Sequence, residues 1–317
     1  MSMVNGKIQT ISILGPTASG KTSLALEVAS RIGGEIVSCD SMLLYRDMNI
    51  GTAKPTCEEM RAIPHHMINI ISAEEDFSVA DYTEMASEII SEIKSRNKVP
   101  IICGGTFLYH DSLINIKSFN TEIPSDDSIR KELYEISEIK GREFLHEMLR
   151  EIDPESAEKI HFNNVKRVVR AIEIFKLTGK TKTEIDKEQI SDDPFYDDRL
   201  FVISFDDRGI LYERINKRVD EMISSGLENE AKYFTDKWDA LGTTARQAIG
   251  YKEFIPYFSG DKTKDEITED IKLATRHYAK RQMIWLRRYK KAHILTADVN
   301  GEIRSVRELA DELITNI

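Results

Sequence analysis

Gly15-Pro16-Thr17-Ala18-Ser19-Gly20-Lys21-Thr22 fits the phosphate-loop pattern G-x-x-x-x-G-K-[ST] at every fixed position. Backbone N–H groups of such a loop wrap an anionic phosphate, and the following helix adds its positive dipole end. Lys21 supplies a point charge to the phosphate, and Thr22 offers a hydroxyl to Mg²⁺. Chance yields the pattern in roughly one chain in a hundred of this length. The flanks strengthen it. Thr10–Leu14 reads as a buried strand entering the loop, and Ser23–Ala29 as a helix leaving it. The competing reading is a glycine turn that binds nothing. The motif by itself names neither the diphosphate or triphosphate nor what is done with it.

Working outward, Thr10–Leu14, Glu35–Cys39, Met67–Ile71 and Val99–Cys103 read as strands that recur at a spacing of about 32 residues. Helical patterns separate them, one opened by Ser78 as N-cap with Asp81 in a capping-box position and running to Lys94. Alternation of this kind means parallel βαβ units. A fifth strand, Leu200–Phe205, follows only after about 95 residues, whereas a crossover needs ~30. Residues 117–197 are therefore expected to be an all-helical insertion, with helices at Ser128–Ser137, Arg142–Ile152, Pro154–Ile160 and Asn164–Thr178. Its borders are turn-rich, at Asn120–Asp127 and Ser191–Pro194. A sixth strand is expected at His293–Ala297. The predicted fold is an α/β, P-loop NTPase-like parallel sheet flanked by helices. Residues 1–116 form the first part of its core and 198–317 the second, with basic C-terminal helices. In that second part Leu211–Ser224 is amphipathic, with Arg214 and Arg218 on one face, and Ile271–Tyr289 is a basic helix.

Composition is that of a soluble globular chain: 41% apolar and 31% charged residues. No apolar run approaches the ~20 residues a bilayer needs, so no membrane partner is expected. A strand and phosphate loop begin almost at once, so no signal peptide is expected and the cytoplasm is the default location. Cys39, Cys57 and Cys103 show no C-x-x-C pairing, which argues against zinc or a disulfide framework. Net charge is −10, which alone argues against nucleic acid. The average hides an asymmetry. Between Asp270 and Asp298 there is no acidic residue, while Lys272, Arg276, Lys280, Arg281, Arg287, Arg288, Lys290 and Lys291 all fall there. Such a stretch is either a phosphate-binding surface or a solvated helix face.

Strand carboxyl ends face the ligand crevice of an open parallel sheet. Asp40, after the second strand, is placed there to hold Mg²⁺ through water or to take a proton, the alternative being a helix N-cap. Cys103-Gly104-Gly105-Thr106 ends the fourth strand and brings a hydroxyl to the same crevice, unless Thr106 is only an N-cap. The chain resembles the bacterial tRNA dimethylallyltransferases, P-loop prenyltransferases acting on tRNA. The residues that carry the resemblance are Gly15–Thr22, Asp40–Arg46, Asn49–Pro55, Pro64-His65-His66, Phe77–Tyr82, Gly104–Tyr109, Asn164–Glu173, Arg214–Arg218, Gln247–Lys252 and Thr275–Gln282, in order along nearly the whole chain. Asn49–Pro55 and Gln247–Lys252 are far more specific than a phosphate loop. Leu43 stands where the family commonly has Gln, and a leucine cannot read a base edge.

The resemblance implies transfer of a dimethylallyl group from dimethylallyl diphosphate to N6 of the adenosine 3′ of the anticodon, with diphosphate leaving. It implies Mg²⁺ as cofactor, the tRNA anticodon stem-loop as partner, and no obligate protein partner. Lys21, Thr17, Thr22 and the loop amides would hold the diphosphate, with further charge from Arg218 and Arg214. Asp40 would be the base on N6–H, and Thr106 would orient amine or donor. RNA contacts are expected from Asp40, Ser41, Met42, Leu43 and Thr106, from Gln247, Gly250, Tyr251 and Lys252, and from Arg130, Lys166, Arg167 and Arg170 in the insertion. Lys166, Arg167 and Arg170 share a helix face. The rival readings are a nucleoside or nucleotide kinase with the insertion as lid, a prenyltransferase of free adenine nucleotides, and an RNA-binding ATPase-like module. A kinase leaves Asn49–Pro55 and Gln247–Lys252 unexplained.

Overall fold

The computed structural model describes residues 7–115, 125–189 and 195–317; the turn-rich borders of the insertion fall largely or wholly outside them. The chain divides into two compact units, Met1–Ile114 with Tyr196–Ile317, and Asn115–Phe195.

In the first unit, six strands form one parallel sheet: β1 (Gln9–Leu14), β2 (Gly34–Cys39), β3 (His65–His66), β4 (Val99–Gly104), β5 (Asp197–Ser204) and β6 (His293–Thr296), ordered β3-β2-β4-β1-β5-β6. A short antiparallel pair, β7 (Asp298–Val299) and β8 (Glu302–Ile303), follows it. The helices of this unit are α1 (Lys21–Ile32), α2 (Cys57–Ala62), α3 (Val79–Ser95) and α4 (Phe107–Ile114). The second unit holds α5 (Asp127–Lys140), α6 (Arg142–Ile152), α7 (Pro154–Lys159), α8 (Val165–Thr178) and α9 (Lys182–Gln189). The first unit then resumes with α10 (Arg208–Ser224), α11 (Leu227–Thr235), α12 (Ile255–Phe258), α13 (Lys264–Leu286) and α14 (Val306–Thr315).

Side chains alternate across a strand, so β1 faces two environments. Ile11 and Ile13 join Leu24, Ala25 and Val28 of α1 and Leu309 and Leu313 of α14 in one apolar core. Thr10 and Ser12, on the opposite face, donate to the Asp198 carboxylate at 2.7 and 2.8 Å. A second core gathers Val219, Leu227, Phe234, Tyr251, Phe254, Ile267 and Ile271 around Tyr45 and Met48. The helical unit has its own core of Leu133, Leu145, Leu149, Val168 and Ile172. Each such aliphatic side chain, fully buried, contributes about 1.5–3 kcal/mol.

Two expectations are corrected. Met67–Ile71 is not a strand. The pairing residues are His65 and His66, because Met67 and Asn69 take left-handed backbone (φ 59 for both), which breaks an extended path. The apolar run instead pairs as a loop: N–H groups of Asn69, Ile70 and Ile71 donate to the carbonyls of Leu43 and Leu44. The basic helix begins seven residues earlier than expected, at Lys264, where Thr263 and Glu266 form a capping box, and it ends at Leu286. Arg287, Arg288, Lys290 and Lys291 therefore lie beyond its last turn. The box at Ser78 and Asp81 opens α3 where the sequence places it.

β2, β4 and β1 are neighbours, so the loops after their carboxyl ends converge. The close approach is strict at Gly104, where a Cβ would lie 1.9 Å from the Cys39 carbonyl oxygen. No side chain fits there without separating the strands.

Candidate active site

These loops open on a cavity of about 570 Å³ within the first unit. Its polar end is made by Thr17, Lys21 and Thr22 of the phosphate loop, Asp40 and Ser41 after β2, and Arg218 of α10. Part of its wall is apolar, made by Ile215, Val219 and Met222 of α10 and Ile271 and Ala274 of α13, with Met42, Leu43 and Ile249. Ile215, Arg218, Val219 and Met222 follow the spacing of one helix face, as do Ile271, Ala274, Thr275, Tyr278 and Gln282.

The phosphate loop is built for an anion. α1 has no side-chain cap at Gly20 and no acidic residue in its first turn, so its leading N–H groups are free to meet a ligand. The loop carries left-handed backbone at Ala18 and Gly20 (φ 60 and 92). At Ala18 that costs about 1–2 kcal/mol, and the Arg214 Nε donates to the Ala18 carbonyl at 2.9 Å. The buried Ser19 hydroxyl has no protein partner. Lys21 rests on the Pro16 carbonyl at 3.2 Å. Burial pushes the Lys21 ammonium below its ordinary pKa, Asp40 pulls the other way, and Arg218 adds to the lowering. Burial likewise lowers Arg218, against the pull of Asp40 and Glu221. Two desolvated cations beside one carboxylate leave room for added negative charge.

Asp40 is fixed by its own turn, its Oδ1 accepting the Met42 N–H at 3.0 Å. Thr106, half-buried, stands beside the cavity rather than among its lining residues. Its Oγ1 accepts the Ser41 N–H at 3.0 Å and lies 3.3 Å from the Ser41 hydroxyl, so it holds the turn that carries Asp40. Arg214 also stands off this cavity. It lines a second one of about 380 Å³, with Lys54, Lys217 and Glu59 and with Ala18, Gly20, Lys21 and Thr22 of the phosphate loop.

Gln247, Gly250 and Lys252 line the main cavity, with Gln247 and Lys252 exposed. Tyr251 does not. It is buried, and its hydroxyl donates to Glu230 at 2.7 Å, which corrects its placement among RNA contacts. In the helical unit, Lys166 and Arg167 are exposed. Arg130 and Arg170, each about a third exposed, also hold the fully buried Glu173 carboxylate, at 2.9 and 2.7 Å.

Sequence reasoning missed Gln282. Its Oε1 accepts the Thr17 N–H at 2.8 Å and its Nε2 donates to the Gly105 carbonyl at 2.9 Å, tying the phosphate loop to the loop after β4. It also missed Tyr278, whose hydroxyl burial and Asp40 hold in the neutral form. The signal was present: the stripe from Ile271 to Gln282 has helical spacing, but the basic residues between drew the reading toward RNA.

A family model described as IPP transferase matches residues 43–289. A protein of Acetivibrio thermocellus named tRNA dimethylallyltransferase is 46% identical over 286 residues, 90% of this chain and 91% of its own length. The crystal structure of a tRNA isopentenylpyrophosphate transferase from Staphylococcus epidermidis is similar over 98% of both chains, with TM-score 0.68 and 41% identity. A eukaryotic dimethylallyltransferase acting on tRNA is similar over 98% of this chain and 80% of its own, with TM-score 0.81 and 28% identity. On this evidence the chain belongs to the IPP transferase family, that of the tRNA dimethylallyltransferases.

Proposed function

We propose that this enzyme, a tRNA dimethylallyltransferase, moves the dimethylallyl group of dimethylallyl diphosphate onto N6 of the adenosine 3′ of the anticodon. The observation that carries the reading is one cavity in which a phosphate cradle, a carboxylate and an aliphatic wall meet. A kinase acceptor has no use for Ile215, Val219, Met222 and Ile271 side by side, whereas a five-carbon allyl group does.

The exocyclic amine is a poor nucleophile, because its lone pair is delocalised into the ring. Asp40 takes the N6 proton as the N6–C bond forms and the allylic C–O bond breaks, its electron pair leaving with diphosphate. Lys21, Arg218 and the loop amides are placed where that negative charge grows, which stabilises the transition state electrostatically. Thr22 offers Mg²⁺ a hydroxyl on the same cavity, an oxygen donor that suits an ion held mainly by diphosphate and water. Among the described residues no cluster of three or more His, Cys, Asp or Glu forms a cage without the diphosphate. When bound, the ion neutralises diphosphate charge. ATP meets the same loop, which reads phosphates rather than the group attached to them.

Recognition of RNA falls to exposed groups. Gln247, Lys252, His277 and Arg281 rim the cavity, and Lys166 and Arg167 present charge on the helical unit. Phosphate contacts position the RNA and base edges of the unpaired loop specify it. Extruding the adenosine costs about a few kcal/mol.

The test incubates protein, Mg²⁺ and labelled dimethylallyl diphosphate with unmodified tRNA, with AMP, or with neither. Label is expected on the tRNA adenosine alone. Asp40→Asn should lower kcat by about 10²–10⁴-fold with donor binding retained. Labelled AMP, phosphoryl transfer from ATP, or a normal kcat in the variant refutes the reading.

A further inference from the structure

Glu230 of α11 lies outside the cavity lining, yet it organises two of the segments that are most distinctive in the sequence. Its carboxylate accepts the N–H of Asn49 at 3.0 Å, of Ile50 at 3.0 and 2.9 Å on its two oxygens, and of Gly51 at 3.0 Å. Three successive amides around one anion form a nest of the kind that elsewhere binds phosphate. The Tyr251 hydroxyl completes the shell at 2.7 Å. Gly51 has to be glycine, since a Cβ there would come within 2.7 Å of the Tyr251 ring. Asn49–Pro55 and Gln247–Lys252 are thus locked together through one carboxylate.

The loop so held has a task at the cavity. Gly51, Thr52 and Ala53 line it, and the Thr52 carbonyl accepts from Arg218 at 3.3 Å. Arg218 lines both the main cavity and the second one, beside Lys21 and Thr22. The next residue, Lys54, donates to the Tyr45 carbonyl at 2.7 Å and the Asn69 side chain at 2.5 Å, and also lines the second cavity.

We propose that Glu230 is a positioning residue for the diphosphate half of the donor, acting through the 49–55 loop to hold the Arg218 guanidinium in place. The inference deepens the proposed function and rests on it. Glu230→Gln keeps the volume but turns an amide NH₂ toward backbone donors. Tyr251→Phe removes one of the four donors and keeps the nest. Three quantities are measured on the full-length protein: the Kd of inorganic diphosphate with Mg²⁺, the separate KM values for donor and tRNA, and the melting temperature. In Glu230→Gln the diphosphate Kd and donor KM should rise together by about tenfold, the size of one charge-assisted contact, while the tRNA KM stays within about twofold. Tyr251→Phe should shift the same two constants in the same direction by about two- to threefold. In an Arg218→Gln background, Glu230→Gln should add nothing to either.

Unchanged donor-side constants in soluble variants, even with a lowered melting temperature, overturn the proposal. So does an equal rise in both KM values. If Glu230→Gln fails to fold, Tyr251→Phe decides by the same criterion. A wild-type protein that binds diphosphate but prenylates no tRNA sinks the proposed function, and the diphosphate Kd still judges Glu230.

Discussion

Raising the pH through 9 should loosen the fold by discharging one buried imidazole. His110 of α4 lies within 3.0 Å of the Ser12 hydroxyl and 3.3 Å of Asp198 through Nε2, with Asp111 3.7 Å from Nδ1. Burial alone would depress its pKa, but the neighbouring Asp111 and Asp198 carboxylates win, and the group is lifted from 6.5 to about 9. A raised folded pKa means that the native state binds the proton more tightly than the unfolded chain. The contribution is therefore complete below pH 6.5 and is lost as pH climbs through 9. That rise corresponds to about 3 kcal/mol, falling at up to ~1.4 kcal/mol per pH unit. In a protein of this size that is a melting shift of roughly 6 °C. Denaturant unfolding from pH 6 to 10, wild type against His110→Gln, isolates this proton from other titrating groups. The variant should be less stable at pH 6 and converge on wild type near pH 10. Parallel curves with a constant offset would refute the argument.

Other perturbations probe the site. Lys21→Ala should cost about 10²–10³-fold in transfer with a native melting curve, and retained activity would remove the phosphate loop from the chemistry. Gln282→Leu strands the Thr17 N–H and the Gly105 carbonyl, which should cost about 1–3 kcal/mol for each group left unsatisfied; a stability loss under 1 kcal/mol by chemical denaturation would count against the bridge. Charge reversal at Lys166 and Arg167 should weaken tRNA binding and flatten its dependence on salt, as read by filter binding at several ionic strengths. Arg170→Glu should instead destabilise the helical unit by about 3–5 kcal/mol, since it sets a second carboxylate against buried Glu173.

Much of this was legible from residue type and spacing. β1, β2, β4, β5 and β6 are apolar runs bounded by turn residues, and the box at Ser78 and Asp81 announced α3. β3 failed because hydrophobicity does not report the backbone sign at Met67 and Asn69. The start of α13 was written in Thr263 and Glu266 but overshadowed by the basic run that follows. At the site, the sequence identified Lys21, Thr22, Asp40 and Arg218 as chemistry-bearing, and all four line one cavity. It could not say which polar groups also have partners within the protein. Tyr251 pairs with Glu230, Arg130 and Arg170 with Glu173, and Thr106 with the Ser41 turn. Such partnerships between remote positions depend on tertiary packing, to which neither periodicity nor motif spacing gives access.

The sheet order has a consequence for biosynthesis. β1 sits between β4 and β5, and the helical unit separates the latter two in the chain. A nascent polypeptide can zip β2, β4 and β1 together once Gly104 clears the ribosome, but one rim of β1 then waits for residues 197–204. At ~5–20 residues per second that wait lasts roughly 5–20 seconds. Throughout it, a row of unpaired amides and carbonyls stands open to solvent beside Ile11 and Ile13, an invitation to adventitious strand pairing. Overproduction at low temperature, where elongation slows, should therefore lengthen the vulnerable period.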